Sequence, residues 1–329
     1  MAKHFLHLGL LLAVGALALK AAFMPPRMQA SLKPGESAAL DGGVLVLKGF
    51  DVPKYPDGKP RQYVSDVHVV SGIGSKGGKP EAVHAKISVN HPLRWNGWWL
   101  YQSSYDAVHE SYTVIEAVRD PFLLMAALAG IFLLFGSAMM CKGCFVRPGA
   151  TLYLVAEKRR SSAAAIAGLA KFACATAVVM LPLWIAGRAL LVKELVPALQ
   201  SPLLVPHVGA YLVSYAILIF AAFGIGVRFV PFGFFLMMLA LVLGALWGKI
   251  CWGDWWQYDP KEMWSLATWL TFATYFHFRG SAVASKWLLR AGAAMIILTL
   301  TWVNFSKMFK KRFGVSPGKW RKSETDPVL

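Results

Sequence analysis

The strongest constraint on the fold is a series of apolar runs, each close to the thickness of a bilayer. They cover residues 4–23, 121–140, about 163–187, 207–230, 231–250, 264–279 and about 288–305. A helix rises about 1.5 Å per residue, so about 20 apolar residues cross a hydrocarbon core of about 30 Å. Only the run 264–279 is short by this measure. The pattern predicts a polytopic α-helical membrane protein with about seven transmembrane helices. Composition agrees: 57% of the 329 residues are hydrophobic and the mean hydropathy is +0.50, too apolar for a soluble chain. The first run, behind Lys3, also has the outline of a cleaved signal peptide. Its length favours a retained helix, and a disposable leader has no use for His4 and His7.

Residues 24–118 break the pattern. The stretches GVLVLKGF, DVHVV, HAKISVN and GWWLYQSS read as strands, with turn signals at Asp57-Gly58 and Gly77-Gly78. They predict a small β-rich extracytoplasmic domain. The expected division is 1–23 first helix, 24–118 β-rich domain, 119–160 second helix and basic cytoplasmic loop, 161–305 helical domain with a Trp-rich loop at 251–264, and 306–329 basic tail.

Orientation follows from basic residues in short loops. Lys142, Arg147, Lys158, Arg159 and Arg160, then Arg228, then Arg279, Lys286 and Arg290 fall in alternate loops. These loops are expected on the cytoplasmic side, with the β-rich domain, the loop 188–206 and the Trp-rich loop outside. The tail, with Lys307, Lys310, Lys311, Arg312, Lys319, Arg321 and Lys322, contradicts this count. Either one helix is miscounted, or the last run is not a full span, or the earlier loops override the tail. The net charge of +17 points to anionic lipid headgroups; no basic domain stands apart for nucleic acid. The four cysteines form no disulfide framework. Cys141 and Cys144 make a CxxC, but Phe145 follows it, so it is no c-type haem attachment motif.

The densest chemistry lies in CWGDWWQYDPKEMWSLATWLTFATYFHFR, residues 251–279. Trp252, Trp255, Trp256, Trp264 and Trp269 fall within eighteen residues, with Asp254, Asp259, Lys261 and Glu262 among them. Trp belts at membrane interfaces are routine, and packing explains any one of these as well as a ligand does. The histidines add depth to the pattern. His7 opens the first helix and His277 closes the sixth, so both are expected in the cytoplasmic half. His277 follows Trp264 by thirteen residues, about 20 Å of helix. His207 is expected level with the Trp-rich loop. Ionisable groups in spans are costly and mark function. Imidazoles on two helices suit the axial positions of haem iron, though a lone one more often hydrogen-bonds between helices. Arg94, Lys193 and Lys261 are cations available to propionates.

The 252–279 stretch resembles the WWD domain of the System II cytochrome c assembly proteins, the CcsA (ResC) family. The residues that carry the likeness are Trp252, Gly253, Trp256, Asp259, Pro260, Lys261, Glu262, Trp264, Leu266, Thr268, Trp269, Tyr275, His277 and Arg279. Trp255 and Tyr258 are aromatic exchanges of the family pattern. At the front, HLGLLLAVG and the segment 87–106, ISVNHPLRWNGWWLYQSSYD, resemble the partner family, CcsB (ResB). The resemblance implies a fusion of the two with a much shortened ResB half.

The resemblance further implies a haem lyase that moves b-type haem, non-covalently bound, across a bacterial-type inner membrane. It implies His7 and His277 as axial ligands in transit, and His207 as an external ligand. Trp252, Trp256, Asp259, Lys261, Glu262 and Trp264 would form the haem-presenting surface. Catalytic residues are not assigned. The implied partners are apocytochrome c with its CxxCH motif, membrane lipids, a second ResB- or CcsA-like subunit and a thiol-reducing protein, with no nucleic acid. The family's second external histidine has no counterpart in ILTLTWVNFSKMFKKRFG. His91, His109, Met308 or another subunit are the candidates for that place. Two other functions stay open: a non-catalytic assembly subunit, or a membrane b-haem electron-transfer subunit.

Overall fold

The computed structural model describes residues 1–71, 81–141, 144, most of 170–185, and 195–313. Six long helices are present among them: α1 (Ala2–Phe23), α2 (Leu123–Met140), α3 (Leu204–Ala222), α4 (Val230–Trp252), α5 (Pro260–His277) and α6 (Ala282–Phe313). Among the described residues, five helices are long and apolar enough to cross a membrane: α1, α2, α3, the segment Val227–Trp252 that contains α4, and Ala282–Thr301 within α6. The chain is therefore a membrane protein carrying a β domain. The sixth apolar run does form a helix, α5, but its Lys261 and Glu262 and its threonines leave it outside those five. A shorter apolar helix, Phe172–Pro182, lies within the expected run 163–187. The expected basic residues at 142, 147 and 158–160, Lys193, and the tail beyond 313 lie outside the described residues.

Helix ends depart from the apolar runs for local reasons. The run 207–230 predicted a helix eight residues longer than α3 at its C-terminal end. Phe223, Ile225 and Val227 are apolar, but Gly224 and Gly226 take positive φ and stop the helix before them. Conversely, α6 continues beyond the apolar run, because lysine and arginine are good helix formers.

Two compact units make up the chain. The first comprises Met1–Met139, Ala173–Gly209 and Val242–Trp256; the second comprises Met140–Phe172, Ala210–Leu241 and Gln257–Leu329.

The β domain belongs to the first unit. It contains eight strands: β1 (Met28–Leu32), β2 (Ser37–Leu40), β3 (Gly43–Asp51), β4 (Val64–Ser71), β5 (Glu81–Ser88), β6 (Leu93–Trp95), β7 (Trp98–Tyr105) and β8 (Thr113–Arg119). They form two antiparallel four-stranded sheets, ordered β1-β8-β7-β6 and β2-β3-β4-β5. Alternation does the sorting: Leu45 and Leu47, Val67 and Val69, and Leu100 with Ile115 turn inward to one core, joined by Leu32, Ile87 and Trp98. Each such buried side chain contributes about 1.5–3 kcal/mol. The four stretches read as strands are β3, β4, β5 and β7. The shorter β1, β2 and β6 carry too little alternation to stand out.

Within the same unit α1 lies against α2 through two glycines. A side chain at Gly9 would meet the Leu133 backbone nitrogen at 2.8 Å, and one at Gly136 would meet that of Leu6 at 2.8 Å. Small residues at a helix contact let backbones approach closely, as membrane helices do. Phe5 completes the seam against Phe132 and Phe135.

Candidate functional site

Helix geometry places His4 and His7 away from that seam. At about 100° per residue, His7 lies far round the helix from Gly9 and Leu6, on the face shared with His4. Both histidines are exposed. An ionisable side chain on the outer face of a membrane helix needs a polar partner.

His207 has a built environment. It sits in the first half of α3, 9% exposed, with its ring over the backbone of Gly244 on α4. A Cβ at Gly244 would fall 2.5 Å from His207 Cε1 and 2.9 Å from Nδ1, so only glycine admits the ring there. Trp247 stands edge-on to His207 at 5.9 Å, and Trp252 lies 5.8 Å beyond Trp247. The three rings form a continuous aromatic line that ends at Trp252, which is 43% exposed. The buried indole N–H groups of Trp247 and Trp255 meet no acceptor among the described residues.

Charges from the β domain and α1 hold the start of the Trp-rich loop. The Asp254 carboxylate pairs with both Lys20, in the last turn of α1, and Arg27, just before β1. Arg27 also reaches Glu116 on β8 at 3.0 Å. Burial alone would lower the pKa of Arg27, but Glu116 and Asp254 outweigh it and raise the value. Below them, Lys249 Nζ lies 2.6 Å from Asp120, their side chains only 5% and 3% exposed. It also donates to the Gly253 carbonyl at 3.1 Å. The Tyr101 hydroxyl donates to the Lys249 carbonyl at 3.0 Å; burial pushes its pKa up and keeps it a neutral donor. The end of α4 and the first loop residues are thus fixed by α1, β7, β8 and the segment before α2.

In the second unit, the loop enters α5 through a capping arrangement. Asp259 is the N-cap and accepts from the Glu262 backbone N–H at 2.7 Å, with Pro260 at the first helical position. Glu262 reaches back to accept from the Gln257 N–H at 2.8 Å, much as in a capping box. Asp259, Pro260 and Glu262 therefore have a structural task beside any ligand contact. Lys261 is exposed and Trp264 half-buried.

α5 packs by its buried face. Trp269 and Phe276 meet Phe234, Phe272 fills the space left by Gly292, and Thr268 meets Thr299 at 3.3 Å. His277 is exposed beyond this face, at the C-terminal end. Its Nδ1 lies 3.0 Å from the Ala273 carbonyl oxygen. A carbonyl only accepts, so a neutral imidazole making this bond carries its proton on Nδ1 and its lone pair on Nε2. That is the tautomer an iron-ligating imidazole needs.

The remaining expected residues are dispersed. Trp256 is half-buried in the first unit. Arg94 is exposed and lies over Trp99 at 5.7 Å. His91 is exposed; His109 is 80% exposed in a turn, 3.7 Å from Asp106. Met308 falls in the part of α6 whose side chains are outside the description. Cys141 and Cys144 are both buried thiols, and Cys141 donates to the Pro231 carbonyl at 3.3 Å. Residues that pattern reading missed are Lys20, Arg27, Asp120, Gly244 and Lys249. Lys249 did carry a signal: a lone cation closing an otherwise apolar span.

The comparisons with known proteins divide the chain near α3. Residues 4–208 match the ResB-like family. Residues 224–312 match the family described as cytochrome C assembly protein. The chain belongs to the ResB-like family and is a fusion of a ResB-like part with a CcsA-like part. Its relatives include proteins named cytochrome c biogenesis protein CcsA. That of Prochlorococcus marinus (strain MIT 9312) is 30% identical over 170 residues, covering 34% of this chain and 54% of the relative. That of Cyanidium caldarium is 37% identical over 81 residues, covering 23% and 27%. That of Cyanophora paradoxa is 48% identical over 52 residues, covering 16% of each. The chain therefore spans at most about half the length of these relatives.

Proposed function

We propose that this protein acts in cytochrome c biogenesis, carrying haem across a bacterial-type inner membrane and presenting it on the outer face to apocytochrome c. The observation that carries the reading is the line His207–Trp247–Trp252, built on α3 and α4 at the edge of the WWD stretch. Relatives of this chain are named cytochrome c biogenesis protein CcsA.

In this reading the haem is substrate. His7 and His277 hold its iron on the cytoplasmic side. The Nδ1–Ala273 hydrogen bond of His277 supports such a role because it directs the lone pair to Nε2. His207 takes the iron on the outer side, and Trp252, Trp256, Trp264 and Lys261 present the macrocycle. Asp259 and Glu262 set the entry of α5. Each apocytochrome CxxCH thiol then adds across one vinyl group: sulfur bonds one vinyl carbon, the thiol proton ends on the other, and a thioether results. No electrons are exchanged, but both thiols must arrive reduced, which calls for a thiol-reducing partner. The protein contributes positioning, the largest effect available to such an addition. Seven spans, with the β domain and WWD stretch outside, complete the reading.

The test is the haem spectrum of purified protein with a maturation assay. Wild type should carry low-spin b-type haem. The double variant His7→Ala/His277→Ala should lose haem and maturation together. His207→Ala should admit haem but retain it poorly. A colourless wild type from haem-replete cells overturns the haem route. Haem-loaded protein that never matures cytochrome alone supports an assembly subunit instead. Reduction of the haem by quinol supports electron transfer.

A further inference from the structure

We propose that the β domain carries a binding site for a divalent transition-metal ion, formed by Asp66, His68 and His84. The site is independent of the haem reading and lies on the outward face of the β2-β3-β4-β5 sheet.

Strand geometry assembles it. Asp66 and His68 are two residues apart on β4 and so share a face. His84 on β5 stands directly opposite His68 in the antiparallel register. The residues between them, Val67 and Ala85, are themselves a register pair and point into the sandwich core, Val67 with no exposed surface. The three polar side chains are thus forced outward by the burial of their neighbours. One ligand atom from each residue lies within 4.8 Å of the other two. His84 Nε2 is 2.6 Å from Asp66 Oδ1, and the two imidazole rings are 4.7 Å apart at 67°.

The donor set selects the ligand. Two imidazoles and one carboxylate suit zinc and its first-row neighbours, whereas calcium and magnesium take oxygen ligands. Bonds of about 2.0–2.2 Å to nitrogen and oxygen place donors roughly 3.3 Å apart around a tetrahedral ion. Small side-chain rotations reach that spacing from the observed one, and the strands stay fixed by the core beneath them. In this contact the carboxylate accepts from His84 Nε2–H, so an arriving ion takes the nitrogen lone pair as that proton leaves to solvent. Three protein ligands leave a position for water or an incoming group. Two features shape the site further. A bulge in β3 between Leu47 and Gly49 lies beside Asp66 and re-aims the local strand. Lys86 stands opposite Asp66 in the register and is the nearest fixed positive charge on β5, so the affinity is set against its repulsion. His84 is 56% exposed by side chain and lies on the last strand of the sheet order, open to solvent. This pairing also has a mechanical effect: an ion held by β4 and β5 ties the edge strand to its neighbour.

The test uses the full-length protein in detergent, stripped of metal. Co2+ should bind with visible absorption bands that Zn2+ displaces. His68→Ala and His84→Ala should each weaken binding at least tenfold, with circular dichroism unchanged. An affinity that is the same in His84→Ala and wild type overturns the site. A second measurement needs no variant. Diethyl pyrocarbonate should modify His68 and His84 in the metal-free protein, and Zn2+ should protect both, read by peptide mass spectrometry. Equal labelling with and without Zn2+ overturns the proposal.

Discussion

At the scale of single residues, the most consequential pair is Lys249–Asp120. Two charges with 5% and 3% side-chain exposure tolerate each other only as a pair. Removing one leaves the other buried and uncompensated, at about 3–5 kcal/mol, whereas replacing both by apolar groups is often neutral. Lys249→Met should therefore lower the thermal midpoint of detergent-solubilised protein sharply, and Lys249→Met/Asp120→Leu should recover most of the loss. Gly244 poses the opposite problem. Alanine is the better helix former, but its Cβ would lie 2.5 Å from His207. Overpacking at such a point costs about 1–3 kcal/mol. Gly244→Ala should destabilise the protein and reproduce the haem-retention defect of His207→Ala, which a co-purified haem spectrum reads. Asp106 gives a pH signature. Hydrogen bonds from the Ser111 hydroxyl and the His109 and Val108 amides lower its pKa from 3.8 to about 2. A depressed carboxylate stabilises the turn above its unfolded value, and that support is lost as pH falls through the folded one. The turn 106–111 should therefore hold at pH 4 and open as pH approaches 2, measured by amide exchange at His109 and Ser111 against the intrinsic rate.

At the scale of elements, the DPKE segment separates two roles. As a cap, Asp259 needs only a short side chain with an acceptor oxygen. Asp259→Ala should cost about 0.5–2 kcal/mol, and Asp259→Ser should cost little. Glu262→Gln keeps an acceptor for the Gln257 amide. If Asp259→Ser restores both thermal midpoint and haem content, the motif acts by starting α5. If the midpoint returns but haem is lost, Asp259 also contacts the haem. α5 itself shows why a helix can be read from sequence while its membrane role cannot. On its apolar face Trp269 and Phe276 pack on Phe234, and Phe272 on Gly292, and its polar first turn is satisfied by capping.

At the scale of the whole molecule, the ResB-like and CcsA-like parts are interlocked in the first unit. Residues 242–256 from the CcsA-like part cluster with Met1–Met139, and Asp254 and Lys249 supply the ionic contacts. A chain cut in the glycine turn after α3, at residue 224, should yield two co-expressed pieces that purify together. Asp254→Ala/Lys249→Met should abolish that co-purification, while each piece remains in the membrane fraction. Persistent association of the variant pieces would show that packing alone joins the two parts.

Five of the seven expected spans, four of the eight strands and the WWD stretch were legible in the sequence. Each depends on information within a window of about twenty residues: apolar length, alternation, a dense motif. Helix ends were less legible where glycines with positive φ interrupt an apolar run, as after Ala222. What only the tertiary structure decided are partnerships between residues far apart in the chain. Asp254 meets Lys20 and Arg27 across 234 and 227 positions, and Lys249 meets Asp120 across 129. Gly244 makes room for a histidine on another helix, and strand register alone brings His84 to His68. No local propensity encodes these choices. They follow from the core and the strand pairing, which fix backbones first and leave the charges and rings to meet where the folded chain has put them.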